Sequence, residues 1–169
     1  VIHDISERQR DDERLRHLAF HDPLTDLPNR ALLLDRLNQL LVRTEREGRR
    51  LAVLYLDLDG FKSVNDSLGH GAGDALLRES ARRLLHLVRR SDTVARLGGD
   101  EFVILIDNPS HPSEVELVAQ RVIHALGTPF EVRETRARIS TSVGITLSSS
   151  FSVDGESLLH RADQALYAA

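Results

Sequence analysis

Two acidic pairs stand where an apolar framework gives them no ordinary reason to be. Asp57 and Asp59 close the run LAVLYLDLD, and Asp100 and Glu101 follow Gly98 and Gly99 directly, just ahead of the apolar run Phe102 to Ile106. A carboxylate at the end of a buried strand needs a cation or strong hydrogen-bond donors, because an isolated buried charge is very costly. If the two apolar runs are neighbouring strands, the four acids meet. Oxygen-only ligands of that kind suit Mg²⁺, usually shared with phosphate oxygens. Taken singly, each pair has an equally good local explanation, with Asp57 and Asp59 capping the next helix and Asp100 serving the turn. Both pairs together, each flanked by glycine and an apolar strand, favour a metal site.

Other spacings say less. DSLGHGAGDALL sets Gly69, Gly71 and Gly73 on alternate positions before a helix, a loop able to bring backbone N–H groups close to a ligand. This is not the dinucleotide fingerprint, and on spacing alone an ordinary loop with Asp74 as helix cap is the stronger reading. Arg89 and Asp92 are three apart, but a chain this rich in both residue types holds about two such pairs by chance. A basic helix end followed by a capping Asp explains them equally well. The eight histidines show no metal-ligand spacing. His17 and His21, four apart, straddle the end of the first helix and read as structural or surface residues.

These residues need a framework. ISERQRDDERLRHLAF, charged and free of Gly and Pro, predicts a helix exposed on most faces, with Ile5, Leu15, Leu18 and Ala19 as sparse apolar positions that require a partner helix. HDPLTDLPNR breaks the chain before a second helix from Arg30, whose Leu33, Leu37, Leu40 and Leu41 follow the helical period and which Gly48 ends. LAVLYLDLD is continuously apolar and predicts a central strand buried on both faces. A loop and a short helical turn lead to a helix from about Asp74, with Leu77, Ala81, Leu84, Leu85 and Val88 on one face. Thr93 to Leu97 and Glu101 to Ile106 form a hairpin across a glycine turn. Another helix runs through Val115, Val118, Ala119, Val122 and Leu126, and a half-covered strand through Ile139, Thr141, Val143, Ile145 and Leu147. A last helix carries Leu158, Leu159, Ala162, Ala165 and Leu166. The order β-α-β-β-α-β, with an extra hairpin near Phe130 to Arg136, predicts an α+β fold of ferredoxin-like type, a sheet layered by helices.

The whole-chain quantities agree with one soluble domain plus a short appendage. There are 169 residues, 41% hydrophobic and 28% charged. The longest apolar runs fall far short of a membrane span. Without cysteine, thiolate chemistry and disulfides are excluded. Without methionine, the chain is expected to be a piece of a longer protein. A net charge of −4 gives no support to nucleic-acid or anionic-membrane binding. Among 22 basic side chains Lys62 is the one lysine, which makes its position worth watching.

DLDGFKSVND, GHGAGD and RLGGDEF, in this order and separation, resemble the GGDEF domain, the diguanylate cyclase module of bacterial signalling proteins. The resemblance runs from about His17 to the end and takes in HDPLTDLPNR and RADQALY. It implies a nucleotidyl-cyclase or polymerase-palm fold, a mostly antiparallel sheet covered by helices. It also implies condensation of two GTP into cyclic di-GMP with release of two pyrophosphates, using two Mg²⁺ per site, with Mn²⁺ as the alternative ion. By position, Asp57 and the carbonyl of Leu58 match metal ligands, and Asp100 matches the acid bridging the metals. Glu101 matches an acid that binds metal and activates the attacking 3′-hydroxyl. Gly98 and Gly99 would let the backbone pass against the nucleotide. Asn65 and Asp74 match a guanine-binding pair, a carboxylate being able to accept from both N1–H and the exocyclic amine. Lys62 matches a phosphate contact, with Phe61 and its neighbours offering backbone N–H groups. Arg89 and Asp92 match the product-inhibition motif that binds cyclic di-GMP.

Two departures stand out. The family continues from ALY into a lysine and then an arginine that reach the terminal phosphates, and this chain stops at Ala169 before them. Asp26 occupies a position where the family more often has glycine. VIHDISERQR resembles the end of a PAS sensor domain running into a signalling helix. The expected layout is therefore residues 1–20 as sensor tail and linker, and 21–169 as a GGDEF domain shortened at its last helix. The expected partners are GTP, cyclic di-GMP and a second copy in a homodimer. An upstream sensor and, in some members, a downstream phosphodiesterase domain complete the parent, a cytoplasmic domain whose parent can be membrane-anchored. A catalytically silent GTP-binding regulatory module is the rival reading. A palm-like polymerase fragment is remote, given the charge and the lack of a basic groove.

Overall fold

The computed structural model describes residues 2–148 and 154–168. In chain order its elements are α1 (Ile2–Phe20), α2 (Arg30–Glu47), β1 (Leu51–Asp59), α3 (Phe61–Leu68), α4 (His70–Leu87), β2 (Thr93–Gly98), β3 (Glu101–Asp107), α5 (Pro112–Gly127), β4 (Phe130–Val132), β5 (Thr135–Ala137), β6 (Ser140–Ser148) and α6 (Gly155–Ala168). Four strands make one antiparallel sheet in the order β2-β3-β1-β6, and β4 and β5 pair separately as the extra hairpin. This is the expected α+β, ferredoxin-like arrangement.

β1 is central because its sequence has no polar face to offer solvent. Ala52, Leu54, Leu56 and Leu58 point to one side with Phe102, Ile104 and Ile106 of β3, and are covered by α4 and α5 through Leu76, Leu84, Val122 and Leu126. Leu51, Val53 and Tyr55 point to the other with Val103 and Leu105, under Leu33 and Leu37 of α2 and Leu158 and Leu159 of α6. Burying each such leucine is worth roughly 2 kcal/mol, so the strand end that carries the acids is held by two independent packed layers. On β6 the α6 backbone comes so close that a Cβ at Gly144 would lie 2.2 Å from the Ala162 carbonyl oxygen.

Several expectations are corrected. The short turn after β1 is the eight-residue helix α3, and α4 begins at His70, not near Asp74. Gly71 and Gly73 therefore lie inside a helix, not in a loop, and Asp74 does not cap it. The glycines answer to neighbours from other elements. A Cβ at Gly73 would sit 1.8 Å from Oδ1 of Asn65 on α3, and one at Gly71 would sit 2.0 Å from a guanidinium nitrogen of Arg133. Leu85 is exposed instead of facing the core, where Leu76 takes part, whereas Val88, the C-cap, packs against the core as expected. α1 is helical as expected and buries none of its residues.

Candidate active site

The register of the sheet brings the two acidic motifs together. Asp57 near the end of β1 is the cross-strand partner of Glu101, the first residue of β3. Asp100 occupies the two-residue turn between β2 and β3, and the N–H of Leu58 donates to the Asp100 carbonyl at 3.2 Å. Gly98 (φ 139°) and Gly99 (φ 50°) shape that turn with backbone angles that side chains rarely tolerate. A Cβ on either would meet nothing within 4 Å, so the turn needs glycine for its backbone and leaves the space above it open to a ligand.

Like charges directly opposed across a ladder are unfavourable, and the cluster shows it. Asp57 is pushed up to about 6, chiefly by burial, then by a carboxyl–carboxyl hydrogen bond with Asp100 and by the negative charges of Asp100, Asp59 and Glu101. The fourth acid does not join them equally: Asp59 accepts a 2.6 Å hydrogen bond from the Ser142 hydroxyl on β6. Among the described residues no three His, Asp or Glu side chains form a ready-made metal cage. A hard octahedral cation needs none, because Mg²⁺ commonly takes one or two carboxylates and completes its shell with water and phosphate oxygens. An oxygen-only donor set whose central carboxylate is strained by its neighbours fits such an ion.

Three residues at this site escape a reading of the sequence alone. The Tyr55 hydroxyl donates to Glu101 Oε2 at 3.1 Å. The Arg96 guanidinium donates through Nε and Nη2 to the Gly99 carbonyl at 3.1 and 2.8 Å, and through Nη1 to Asp22 at 2.8 Å. Asp22 in turn accepts from both the N–H and the hydroxyl of Thr25. HDPLTDLPNR is therefore a brace fastened to the turn that carries Asp100 as well as a break between helices. The signal was present in the Asp22-x-x-Thr25 turn pattern and in the arginine of RLGGDEF, but nothing in either names the other. Asp26 in the same loop has φ 62°, which explains the family's preference for glycine there; its carboxylate pairs with His17. The His17 and His21 rings stack at 4.0 Å.

The chain leaves β1 through Gly60 directly into α3, whose N-cap supplies no side-chain hydrogen bond. The first N–H groups of that helix, including those of Phe61 and Lys62, have no partner within the helix, and the Lys62 side chain is exposed. One turn later Asn65 lies against Gly73, the residue before the exposed Asp74, where α3 and α4 pack. Arg89 and Asp92 sit at the far end of the hairpin from Asp100. Asp92 accepts from the N–H groups of Arg89 (2.9 Å) and Asp107 (3.1 Å), while the Arg89 guanidinium lies 3.0 Å from Glu114. They line a cavity of about 120 Å³ with Arg121 and Leu117. The stop at Ala169 lies outside the described residues.

Comparison with known proteins identifies the family. Residues 19–169 match the family described as "Diguanylate cyclase, GGDEF domain". The bifunctional diguanylate cyclase/cyclic di-GMP phosphodiesterase MucR of Pseudomonas aeruginosa is 46% identical over 158 residues, covering 94% of this chain and 23% of MucR. The chain thus spans less than a quarter of that relative's length. A solved GGDEF domain of TpbB from the same organism superposes with a TM-score of 0.85 at 39% identity, over 88% of this chain and 87% of that one. The coiled coil and GGDEF domain of DgcB from Caulobacter crescentus, solved with cyclic di-GMP, gives 0.88 at 27% identity over 99% and 88%. The chain belongs to the GGDEF-domain family of diguanylate cyclases, nucleotidyltransferases that work with a divalent metal.

Proposed function

We propose that this chain provides one half of a diguanylate cyclase, holding one GTP and joining it to a GTP on a second copy. The observation that carries the reading is the meeting of Asp57, Asp100 and Glu101 at the sheet end, one residue short of a helix start that bears the single lysine. Asp57, the Leu58 carbonyl, Asp100 and Glu101 would hold two Mg²⁺ ions, with Mn²⁺ as a substitute. When bound, these lower the pKa of the attacking 3′-hydroxyl and neutralise charge on the α-phosphate and the leaving pyrophosphate. Lys62 and the open N–H groups at Phe61 and Lys62 take the phosphates. Asp74 accepts from guanine N1–H and its amine, and Asn65 serves the base's other edge. Gly98 and Gly99 keep the turn clear of side chains.

In each half-reaction the 3′-oxygen of one GTP bonds to the α-phosphorus of the other. The bond to pyrophosphate breaks, and the hydroxyl proton passes to Glu101. Repetition in the opposite sense closes cyclic di-GMP and releases the second pyrophosphate. One chain holds one nucleotide, so a homodimer is required. α1 would act as the signalling linker between an upstream sensor of PAS type and the domain from residue 21 onward. Cyclic di-GMP would bind at Arg89 and Asp92 as a product inhibitor, displacing Glu114 from the arginine.

The test is production of cyclic di-GMP from GTP and Mg²⁺, with Asp100→Ala abolishing it and weakening metal-dependent GTP binding. Near-wild-type turnover in that variant removes Asp100 from the mechanism. A second reading, a GTP-binding module that regulates an attached phosphodiesterase, is favoured by MucR, whose name carries both activities. Metal-dependent GTP binding without product, in a dimer held in the right orientation, selects it.

A further inference from the structure

Glu101 is asked to do two things at once, to bind metal and to receive a proton. Among the described residues its carboxylate has one hydrogen-bond partner, the hydroxyl of Tyr55 at 3.1 Å to Oε2. Tyr55 stands two residues before Asp57 on β1, on the same sheet face, and its cross-strand partner Val103 stands two residues after Glu101 on β3. The phenol is therefore the diagonal neighbour of Glu101 and reaches toward the sheet end from inside the core.

Its ring is fixed. Tyr55 is 5% exposed and belongs to the packed layer with Leu33, Leu37, Val103, Leu158 and Leu159. A phenylalanine would satisfy that packing equally well, so the hydroxyl is what the layer does not explain. Toward a carboxylate that binds metal, the phenol can act only as a donor, and the 3.1 Å contact to Oε2 puts it in that role. Beyond the ring lies a polar cavity of about 210 Å³ lined by Arg30, Glu156, His160 and Asp163.

We propose that Tyr55 is a positioning residue for Glu101: its hydroxyl occupies one carboxylate oxygen and fixes the rotamer, so that the other oxygen is presented to the metal and the 3′-hydroxyl. The inference rests on the functional reading above and adds to it a residue that touches neither substrate nor metal. Partners of this kind, one step removed from a metal, commonly change metal affinity or activity by about 10- to 100-fold.

Tyr55→Phe keeps the ring and removes only the donor. The measurement is a Mg²⁺ titration of binding to a GTP analogue whose α,β-bridging oxygen is replaced by methylene, using the full chain, with and without Glu101→Gln. In the parent background Tyr55→Phe raises the Mg²⁺ concentration for half-maximal binding by about tenfold. It lowers kcat more than it raises KM for GTP. In the Glu101→Gln background the same substitution moves the Mg²⁺ midpoint by less than about twofold, because the carboxylate it acts through is gone. A purely structural tyrosine would instead lower the melting temperature equally in both backgrounds and leave the Mg²⁺ midpoint unchanged. That result, or equal midpoint shifts in both backgrounds, overturns the proposal. If the parent chain binds no nucleotide with Mg²⁺ at all, the functional reading falls and this inference with it.

Discussion

Three carboxylates share the end of β1 and the β2–β3 turn, and burial first, then the neighbouring acids, make the ionised form of Asp57 costly. Its pKa of about 6 in the fold, against 3.8 as the ordinary value, means that the folded chain holds this proton more tightly than the unfolded one. The associated stability is present below pH 3.8 and is lost as pH rises through about 6. In EDTA, Asp57→Asn should therefore melt above the parent near neutral pH, by roughly 1 kcal/mol after allowing for screening at a part-exposed site. The difference should shrink below about pH 4, while metal-dependent GTP binding is lost at all pH values. A parent chain as stable as the variant near neutrality would show that the ionised Asp57 costs the fold nothing. Asp74 carries a different prediction. It is exposed and four residues into α4, where it caps nothing, so its removal should cost the helix little. Asp74→Ala should weaken GTP by about 2 kcal/mol relative to ATP, narrowing the preference. Equal losses for both nucleotides by calorimetry would take the guanine contact away from Asp74. The residue types of this site were legible in the sequence only in combination, because each acid pair, the glycine loop and the lysine has an ordinary local explanation when taken alone. The partners that orient them were not. Tyr55 meets Glu101 across 46 residues and Arg96 meets Asp22 across 74, and only the register of the sheet says so.

The elements themselves were largely readable wherever one packed layer dictates the period. β1 has no polar face, α2 ends on a glycine at φ 63°, and the hairpin turn announces itself. The start of α4 failed for a physical reason. Gly69, Gly71 and Gly73 read as breakers, since glycine is about 1 kcal/mol worse than alanine within a helix. The structure accepts that cost because Gly71 and Gly73 make room for side chains from the β4–β5 hairpin and from α3, which no local pattern contains. The trade can be measured. Gly73→Ala should improve the intrinsic helix by up to about 1 kcal/mol, yet its Cβ would land 1.8 Å from the Asn65 amide oxygen and drive that side chain away. The expected outcome is a melting temperature within a few degrees of the parent, together with a loss of GTP affinity of about tenfold, one strong hydrogen bond's worth. Unchanged affinity would mean that Asn65 does not need its place over α4. The exposed Leu85 shows the complementary limit: helical period fixes which residues share a stripe, but a stripe one residue wide of the contact looks the same until the neighbours are known.

At the scale of the whole molecule, α1 stands apart. Its 19 residues bury none of their side chains, and its last turn is tied to the loop that follows: Asn29 donates to the carbonyl oxygen of Ala19 and to that of Phe20 at 2.9 Å each, and His17 pairs with Asp26. Among the described residues no helix is long and apolar enough to cross a membrane. Ile5, Leu15 and Leu18 remain exposed along α1, too few for a stable helix on its own, since short isolated helices are marginal in water. Pairing with a second α1 would cover them and hold two domains at a high effective concentration. Without an external clamp that pairing is weak, so the chain should be largely monomeric at micromolar concentration and slow per domain even with sound chemistry. Fusing an unrelated parallel dimeric coiled coil ahead of Glu13 should raise activity per domain most at low protein concentration. The heptad phase of the junction should matter, because each residue added rotates the following domain by about 100°. The brace from Asp22 to Arg96 links the loop at the foot of α1 to the turn bearing Asp100, a route by which that rotation would reach the site. Activity measured across a series of one-residue insertions should therefore rise and fall with the helical period. A series in which every phase dimerises and binds GTP with Mg²⁺ but none makes cyclic di-GMP would replace the cyclase reading by the regulatory one.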